Sequence, residues 1–215
     1  MKIITWNVNG IRACSKKGLV EFLDQSKPNI FCVQETKAHP EQVEPAIREL
    51  GYPASFWSSA VRKGYSGVAT FSNVVPISNT DTFGYPEYQS EGRTLITDFK
   101  DFRLYNIYFP NGGSGEERHD FKQIFLRNLN AHLKSVLSEG RQVIVVGDYN
   151  VAHQNQDVYD PVKFSKDSGF LPEERQWFDS FLELGFVDVF RKLYPNQPDR
   201  YSWWSYRELA RARNL

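Results

Sequence analysis

The amino-acid sequence predicts an α/β fold, in which short buried strands alternate with amphipathic helices. The clearest strand pattern is residues 143–147, where four apolar and mostly β-branched residues precede a glycine. Such a continuous apolar run indicates a strand buried on both faces. The clearest helix pattern is residues 116–138, where apolar side chains recur at helical spacing. The chain has 215 residues, of which 40% are hydrophobic, so it can bury a sizeable core.

The other predicted elements follow the same two patterns along the chain. Further strands are predicted at residues 2–7, 29–35, 54–58, 67–72, 93–98 and 102–108. Further helices are predicted at residues 18–26, 41–50 and 172–184. No internal repeat or low-complexity linker interrupts the chain. We therefore expect a single domain over residues 1–215.

The composition narrows the function classes. The 26 basic and 26 acidic residues give a formal net charge of zero, so any binding of nucleic acid must depend on local basic patches. Cys14 and Cys32 are the only cysteines. They imply no disulfide framework, and they favour a reducing, cytoplasmic setting. Residues 1–6 turn polar too soon to form a signal peptide or a membrane span, so no membrane partner is expected.

Polar side chains follow several predicted strands at the point where each strand ends. Asn7 ends the first strand, Glu35 follows the second, and Tyr108 ends the strand at 102–108. Asp148 and Asn150 follow the central strand two positions apart. A rigid buried strand can deliver such groups to the edge of a sheet, where a ligand can reach them.

Each of these residues taken alone also has a simpler interpretation. Asp148 and Asn150 could form a turn or cap the next segment. Glu35 could form a salt bridge with Lys37, although a carboxylate at the end of a buried strand is also a suitable ligand for magnesium. Tyr108 could be an aromatic side chain at the edge of the core. The repetition of the pattern at several strand ends favours a site.

Several stretches together resemble the exonuclease III class of apurinic/apyrimidinic endonucleases, in the wider endonuclease/exonuclease/phosphatase family. The resemblance runs the whole length of the chain, in order. The matching stretches are Trp-Asn-Val-Asn-Gly-Ile-Arg at 6–12, Gln-Glu-Thr-Lys at 34–37, Gly-Tyr-Ser-Gly-Val at 64–68, Glu-Gly-Arg at 91–93, Tyr-Phe-Pro-Asn at 108–111, Gly-Asp-Tyr-Asn-Val-Ala-His at 147–153, Ser-Gly-Phe-Leu-Pro-Glu-Glu-Arg at 168–175 and Tyr-Ser-Trp-Trp-Ser-Tyr at 201–206.

The resemblance implies a four-layered α/β sandwich, with two mixed sheets packed face to face and helices outside. It implies hydrolysis of the phosphodiester 5′ to an abasic site in duplex DNA, with Mg²⁺ as cofactor and Mn²⁺ as a substitute. A 3′→5′ exonuclease and a 3′-phosphatase activity accompany this reaction in some members, which act on DNA 3′ ends. The implied location is the cytoplasm, on nucleoid DNA.

The resemblance also implies roles for the residues at the strand ends. Glu35 matches the main metal-binding carboxylate. Asp148 matches the group that orients or deprotonates the attacking water. Asn7 and Asn150 match polar groups around the metal and the scissile phosphate, so the implied metal surroundings are Glu35, Asn7, Asp148 and Asn150. Tyr108 matches a tyrosine that contacts or positions that phosphate.

A second set of residues matches positions that face DNA in the family. This set is Arg12, Lys37, Tyr65, Arg93, Asn111, Trp203 and Trp204. The two tryptophans match aromatic positions that line the pocket for the flipped-out abasic sugar, where a narrow apolar space would exclude a normal nucleotide.

The chain departs from the family pattern in three places. Asn9 stands where some relatives have an acidic ligand, and Asp167 stands where many have Asn. After residue 215 the family pattern continues with further strands and a terminal Asp-His pair, and none of the four histidines here lies in such a context. We therefore expect the endonuclease/exonuclease/phosphatase domain over 1–215 to lack its C-terminal strands. The chain alone would then be inactive unless a second polypeptide supplies them.

Two alternative functions remain open from the sequence. One keeps the fold and changes the substrate, giving a phosphodiesterase for RNA, lipid or inositol phosphates. The other is a module that binds damaged DNA without cutting it, because the terminal Asp-His pair is absent. Cleavage of an abasic duplex would separate both from the nuclease.

Overall fold

The computed structural model describes residues 1–205 and 209–214. The chain divides into two compact units. The first unit contains residues 1–109 and 135–149, and the second contains residues 110–134 and the chain from residue 150 onward. The expectation of a single domain over residues 1–215 stays a prediction.

The first unit contains two four-stranded sheets, and both are mixed. Sheet one has the strand order β1-β2-β4-β3, with β1 parallel to β2 and the other pairs antiparallel. Its strands are β1 (Ile3–Asn7), β2 (Ile30–Gln34), β3 (Ala54–Ser58) and β4 (Val68–Ser72). Sheet two has the order β5-β6-β7-β8, with β7 parallel to β8. Its strands are β5 (Ser78–Thr80), β6 (Thr94–Asp98), β7 (Arg103–Tyr108) and β8 (Val143–Asp148).

The two sheets pack against each other through one apolar layer. Ile30 and Cys32 of β2 meet Leu104 of β7, together with Phe99 and Phe102 from the turn before it. The two phenylalanine rings stack with centroids 4.9 Å apart. Because successive strand residues point to opposite faces, alternate β2 residues are left for the other side of the sheet. The two packed mixed sheets confirm the predicted α/β sandwich.

The outer face of sheet one carries three short helices. They are α1 (Ile11–Ser15), α2 (Leu19–Ser26) and α3 (Pro45–Glu49). Phe31 and Val33, which alternate with the inward-facing residues of β2, pack in one cluster with Ile11, Leu19 and Leu23 of these helices. The helices therefore cover the face of β2 that the second sheet does not reach.

A buried polar network joins the two sheets beside the apolar layer. The Gln34 Nε2 atom donates hydrogen bonds to Asn106 Oδ1 at 2.7 Å and to Thr5 Oγ1 at 3.0 Å. The Asn106 Nδ2 atom in turn donates to the carbonyl of Ala69 at 2.9 Å and to Thr70 Oγ1 at 3.2 Å. Both amide side chains are almost fully buried, so these bonds replace the water that each has lost.

The second unit is helical. Its elements are the larger part of α4 (Glu116–Ser138), then α5 (Pro172–Glu183), α6 (Val189–Leu193) and α7 (Ala210–Arg213). The Trp177 indole of α5 donates to the carbonyl of Leu126 in α4 at 3.0 Å. The Trp177 ring lies against Phe178 and Phe181, and all three are buried. Within the described residues, no helix is long and apolar enough to span a membrane.

Most predicted elements are confirmed within two residues, and the differences have local causes. The helix predicted at 41–50 is only α3, because Pro45 disfavours a helical conformation at the residue before it. The short helix α1 was not predicted, since the sequence there favoured a turn. The edge strand β5 was not predicted either, because its three residues are polar and exposed.

We predict that Asn106→Ala lowers the free energy of unfolding by about 2–4 kcal/mol, because the buried amide of Gln34 and the Ala69 carbonyl lose their partner. Asn79→Ala is the matched control, since Asn79 is an exposed residue of the same sheet. Urea denaturation of both variants measures the difference. Equal effects of the two substitutions would contradict the role given to the network.

Candidate active site

Four strands of the first unit deliver the predicted site residues at their carboxyl ends. Asn7 ends β1 and Glu35 follows β2, its parallel neighbour in sheet one. Tyr108 ends β7 and Asp148 ends β8, and these two residues are paired in the register of sheet two. The carboxyl ends of parallel strands are where open α/β sheets commonly place ligands.

The strand β8 reaches this position only because Gly147 precedes Asp148. A Cβ atom on Gly147 would lie 1.8 Å from the carbonyl oxygen of Ile107, its partner on β7. Such a separation is impossible for a side chain, so the strand needs glycine at this point.

The amide group of Asn7 bridges two carboxylates. Its Nδ2 atom donates to Glu35 Oε1 at 2.8 Å and to Asp148 Oδ2 at 2.7 Å. Its Oδ1 atom accepts a hydrogen bond from the Asn9 backbone amide at 3.0 Å, which fixes the orientation of the side chain. The structure therefore brings Asn7, Glu35 and Asp148 together, as the sequence predicted.

Glu35 is held in its ionised form. Burial raises its pKa, but the hydrogen bonds from Asn7 and Lys37, the positive charge of Lys37 and a hydrogen bond with Tyr108 outweigh burial, so the pKa lies below its usual range. The Lys37 Nζ atom lies 2.7 Å from Glu35 Oε2 and also contacts Asn9 Oδ1. The salt bridge between Glu35 and Lys37, which was one interpretation of the sequence, is therefore present, and it lies among the predicted site residues.

Tyr108 is held in its protonated form. Burial raises the pKa of its hydroxyl far above the usual value, and the negative charge of Glu35 raises it further. A neutral phenol donates its proton in the hydrogen bond that it shares with Glu35. Tyr108 is therefore a hydrogen-bond donor at neutral pH and not a base.

Arg93 requires a correction to the sequence-based interpretation. It was predicted to face DNA, but its side chain is only 2% exposed. The guanidinium donates to the carbonyl of Tyr108 at 3.1 Å and to the Tyr65 hydroxyl at 2.7 Å, and it pairs with Glu91. It also lies 4.8 Å from the centre of the Tyr108 ring. The guanidinium therefore forms its hydrogen bonds with protein groups, and Arg93 holds Tyr65 and Tyr108 in place from the buried side.

Three residues around the carboxylates of the first unit, and Asn150 in the second, have a left-handed backbone. The φ angles are 46° at Asn9, 53° at Glu35, 49° at Lys37 and 50° at Asn150. Asparagine tolerates this region, but for glutamate and lysine it is uncommon. Conformations of this kind persist where surrounding contacts hold them, and they concentrate at functional sites.

The second unit carries two further predicted residues close together. The Asn111 Nδ2 atom lies 3.4 Å from Asn150 Oδ1, and Asn111 Oδ1 accepts from the Gly113 amide at 2.7 Å. Asn111 also lines a cavity of about 650 Å³. The other lining residues are Gly112, Gly113, Gly115, Glu116, His119, Lys166, Asp167, Ser168 and Leu171.

The remaining predicted residues lie on exposed surface or in the last segment. Arg12 is exposed on α1. Trp203 is 65% exposed, and the Trp204 indole donates to Asn214 Oδ1 at 3.0 Å. Tyr206, the last residue of the aromatic run, lies outside the described residues. The DNA-facing roles of Arg12, Trp203 and Trp204 stay predictions.

The donor set fits a hard divalent cation. Glu35 offers an ionised carboxylate and Asp148 a second carboxyl group, both hydrogen-bonded to the Asn7 amide nitrogen, while the Asn7 oxygen accepts from the Asn9 amide. No group of three or more His, Cys, Asp or Glu that could hold a metal occurs in the part of the chain that the structure describes. An ionised carboxylate with a second carboxyl group beside it is a donor set that hard divalent cations take.

Comparisons with known proteins give one consistent result. The sequence profile described as the endonuclease/exonuclease/phosphatase family matches residues 4–215. The chain is 40% identical to an exodeoxyribonuclease of Bacillus subtilis, over 100% of this chain and 84% of that protein. It is 38% identical to the DNA repair nuclease APEX1 of Danio rerio, over 100% of this chain and 70% of that protein. The structure of an AP endonuclease from Archaeoglobus fulgidus superposes with a TM-score of 0.89 and 32% identity, covering 100% of this chain and 82% of that one.

We predict that Lys37→Met raises the pKa of Glu35, because the variant loses both the hydrogen bond and the positive charge that favour the carboxylate. A depressed carboxyl pKa stabilises the fold above the pKa of the unfolded chain, and this stability disappears as the pH falls through the folded-state value. In the variant the folded-state pKa lies nearer the unfolded value, so this contribution to stability is smaller and its loss is complete at higher pH. Carboxyl carbon shifts, followed by NMR in metal-free buffer, measure the pKa. The control is Lys100→Met in an exposed turn, and a Glu35 titration identical in both variants would contradict the prediction.

We predict that Arg93→Met lowers the free energy of unfolding by about 3–5 kcal/mol, because Glu91 and the Tyr108 carbonyl lose a buried partner. Arg62→Met is the control, since Arg62 is exposed and lies 5.4 Å from the Tyr65 ring centre. Denaturation curves measure the stability, and fluorescence anisotropy measures duplex affinity. Normal stability combined with weakened DNA binding would restore the direct DNA contact that the sequence predicted.

Proposed function

Because the chain belongs to the endonuclease/exonuclease/phosphatase family, it is a metal-dependent hydrolase of the DNA-repair nuclease type, and we propose that it cleaves the phosphodiester 5′ to an abasic site. The proposed substrate is duplex DNA that carries abasic sites or 3′ ends, in the cytoplasm where nucleoid DNA lies. The 3′→5′ exonuclease and 3′-phosphatase reactions use the same bond chemistry at a strand end. We include both in the proposal.

The observation that carries this proposal is the pair of carboxylates held by Asn7. Hydrolysis of a phosphodiester requires a water to lose a proton while negative charge accumulates on the phosphate oxygens. Glu35 and Asp148 come from different sheets, and one neutral amide group holds both. Two such groups can serve different roles, one toward a cation and the other toward the water.

Each residue of the first unit takes a role that its environment supports. Asp148 orients the attacking water and accepts its proton, and Asn7 keeps the Asp148 carboxylate in position. Tyr108 remains protonated, so its single hydroxyl proton, shared with Glu35 in the absence of DNA, is donated to a phosphate oxygen of the bound substrate. Lys37 carries a positive charge beside Glu35 and attracts the DNA backbone. Asn150 and Asn111 of the second unit donate their amide protons to phosphate oxygens.

Glu35 is the residue that would hold Mg²⁺, with Asn7, Asp148 and Asn150 as the other candidate ligands. When bound, the ion would neutralise charge on the phosphate and lower the pKa of a coordinated water. The low pKa of Glu35 keeps the ligand ionised in advance. Lys37 forms an ion pair with the same carboxylate. Because the lysine side chain is flexible, its ammonium group would be able to move away from Glu35 if a cation bound there.

We also propose that a second polypeptide strand pairs with this chain. In the part of the chain that the structure describes, β1 and β8 are edge strands with no hydrogen-bonded strand on their outer side. All six residues of β8 are only half-buried, and β1 exposes Trp6, which is 39% exposed. Unpaired strand edges of this kind accept a further strand.

We predict that the protein incises an abasic-site duplex in the presence of Mg²⁺ once a second polypeptide supplies the missing strands, that EDTA abolishes the reaction, and that the chain alone is inactive. Asp148→Asn lowers the rate by about 10²-fold or more, because the variant loses the group that accepts the proton from water. Asp101→Asn, in an exposed turn, is the control. A 5′-labelled duplex resolved on a denaturing gel gives the cut position, and intact mass spectrometry of the same sample detects any second polypeptide.

Two outcomes would contradict the proposed function. Tight binding of the abasic duplex that is insensitive to EDTA, without product, would favour a module that binds damaged DNA. Faster hydrolysis of an RNA strand or an inositol phosphate would favour a phosphodiesterase with another substrate.

A further inference from the structure

The second unit contains an ion pair that is completely removed from solvent. The Nζ atom of Lys122, on α4, lies 2.5 Å from Oε1 of Glu174, on α5, and both side chains are 0% exposed. Taking two charges out of water costs several kcal/mol per ion unless further hydrogen bonds compensate. A buried pair is therefore weak support for stability, and its other contacts indicate what it does.

The other contacts of Glu174 organise the loop that leads into α5. Its Oε2 atom accepts hydrogen bonds from the backbone amides of Gly169 at 2.6 Å and Leu171 at 3.0 Å. These two residues lie directly before the helix, so the carboxylate holds the entry loop and the first turn together. The loop also supplies Ser168 and Leu171 to the wall of the 650 Å³ cavity.

The other contact of Lys122 is with Asn150, a predicted site residue of the second unit. Its Nζ atom donates to the backbone carbonyl of Asn150 at 2.8 Å. The backbone of Asn150 is left-handed, with φ of 50°, and the next contact along the chain joins the Ala152 amide to the Gly169 carbonyl at 2.7 Å. The carbonyl oxygen of Asn150 also lies 3.3 Å from where a Cβ atom of Gly169 would be, so the two segments are in close contact.

The loop that carries Asn111 lies beside the side chain of Lys122. A Cβ atom on Gly112 would lie 3.4 Å from Lys122 Cδ and 2.9 Å from Ser168 Oγ. A side chain at residue 112 would touch the lysine stem, and its Cβ atom would require the Ser168 hydroxyl to move. Lys122 therefore lies next to both Asn150 and the loop of Asn111, and the amide groups of these two asparagines are 3.4 Å apart.

We propose that Lys122 and Glu174 are positioning residues for the nuclease reaction, which set the backbone of Asn150 and so aim its amide at the reacting phosphate. The inference rests on the proposed function. Neither residue touches substrate, and their effect passes through the Asn150 carbonyl and the 168–171 loop. A merely structural pair would stabilise α4 against α5 without a specific effect on Asn150.

The test variant is the double substitution K122M/E174Q. This double variant leaves no uncompensated buried charge. The side-chain oxygen of the introduced glutamine can still accept hydrogen bonds from the backbone amides of Gly169 and Leu171. The introduced methionine cannot donate a hydrogen bond to the Asn150 carbonyl. The matched control is Asn130→Ala. Asn130 of α4 donates to Ser180 of α5 at 2.9 Å, so its removal weakens the same helix pair away from Asn150.

In the double variant we expect kcat to fall by about 10- to 100-fold with KM changed less than about 2-fold, because a small displacement of a positioned group has this effect. The Asn130→Ala variant should keep the kcat of the wild-type protein. In an Asn150→Ala background, adding K122M/E174Q should lower kcat by less than about 2-fold, because residues that act through one group are not additive. Equal losses in the two backgrounds would overturn the proposal.

A second readout does not need nuclease activity. Amide hydrogen exchange of Ala152 should become faster in K122M/E174Q and stay unchanged in Asn130→Ala, because the Ala152 amide reports the contact between the Asn150 turn and the 168–171 loop. Unchanged protection in the double variant would overturn the positioning role. Absence of cleavage by the wild-type protein together with its second polypeptide, combined with faster exchange in the variant, would overturn the proposed function and leave only the effect of the ion pair on the backbone around Asn150.

Discussion

The bridge that Asn7 makes between Glu35 and Asp148 is the interaction on which the candidate site depends. It joins a residue that follows sheet one to a residue that ends sheet two, so it requires the two sheets to meet in one register. The Gln34–Asn106 hydrogen bond secures that register. Gln34 directly precedes Glu35, and Asn106 lies two residues before Tyr108. The polar contact between the sheets is thus adjacent in sequence to the residues that it aligns.

The sequence was sufficient for the buried strands and for the polar residues that follow them, because a buried strand that ends in a polar group leaves a direct pattern, whereas the exposed strand β5 left none. It could not distinguish the two interpretations of Glu35, a salt bridge with Lys37 and a ligand in a candidate site, because the structure places the salt bridge among the candidate site residues. It did not reveal that Arg93 is buried, because an arginine beside a glycine gives no sign of a buried acceptor. Glu91 and the Tyr108 carbonyl become its partners only when β6 and β7 pair.

Lys122 shows a signal that was present in the sequence and was missed. It lies three and seven residues before Phe125 and Leu129, which are both buried, so helical spacing places it on the apolar face of α4. A charged residue at such a position is expected to have a buried partner. The partner itself, Glu174, is more than fifty residues away, and no local pattern connects the two. The left-handed backbone at Glu35 and Lys37 was equally beyond local prediction, because neither residue type favours it.

Gly147 has a consequence for how this protein could change over evolutionary time. The four apolar residues before it in β8 can exchange with one another in small steps, because their side chains share space with neighbours that can adjust. Gly147 has no such neighbour, since the obstacle is the backbone oxygen of Ile107. A mutation there would displace the adjacent Asp148 along with the strand. The apolar residues before Gly147 can therefore change during evolution. A protein that still uses Asp148 must also keep the glycine before it.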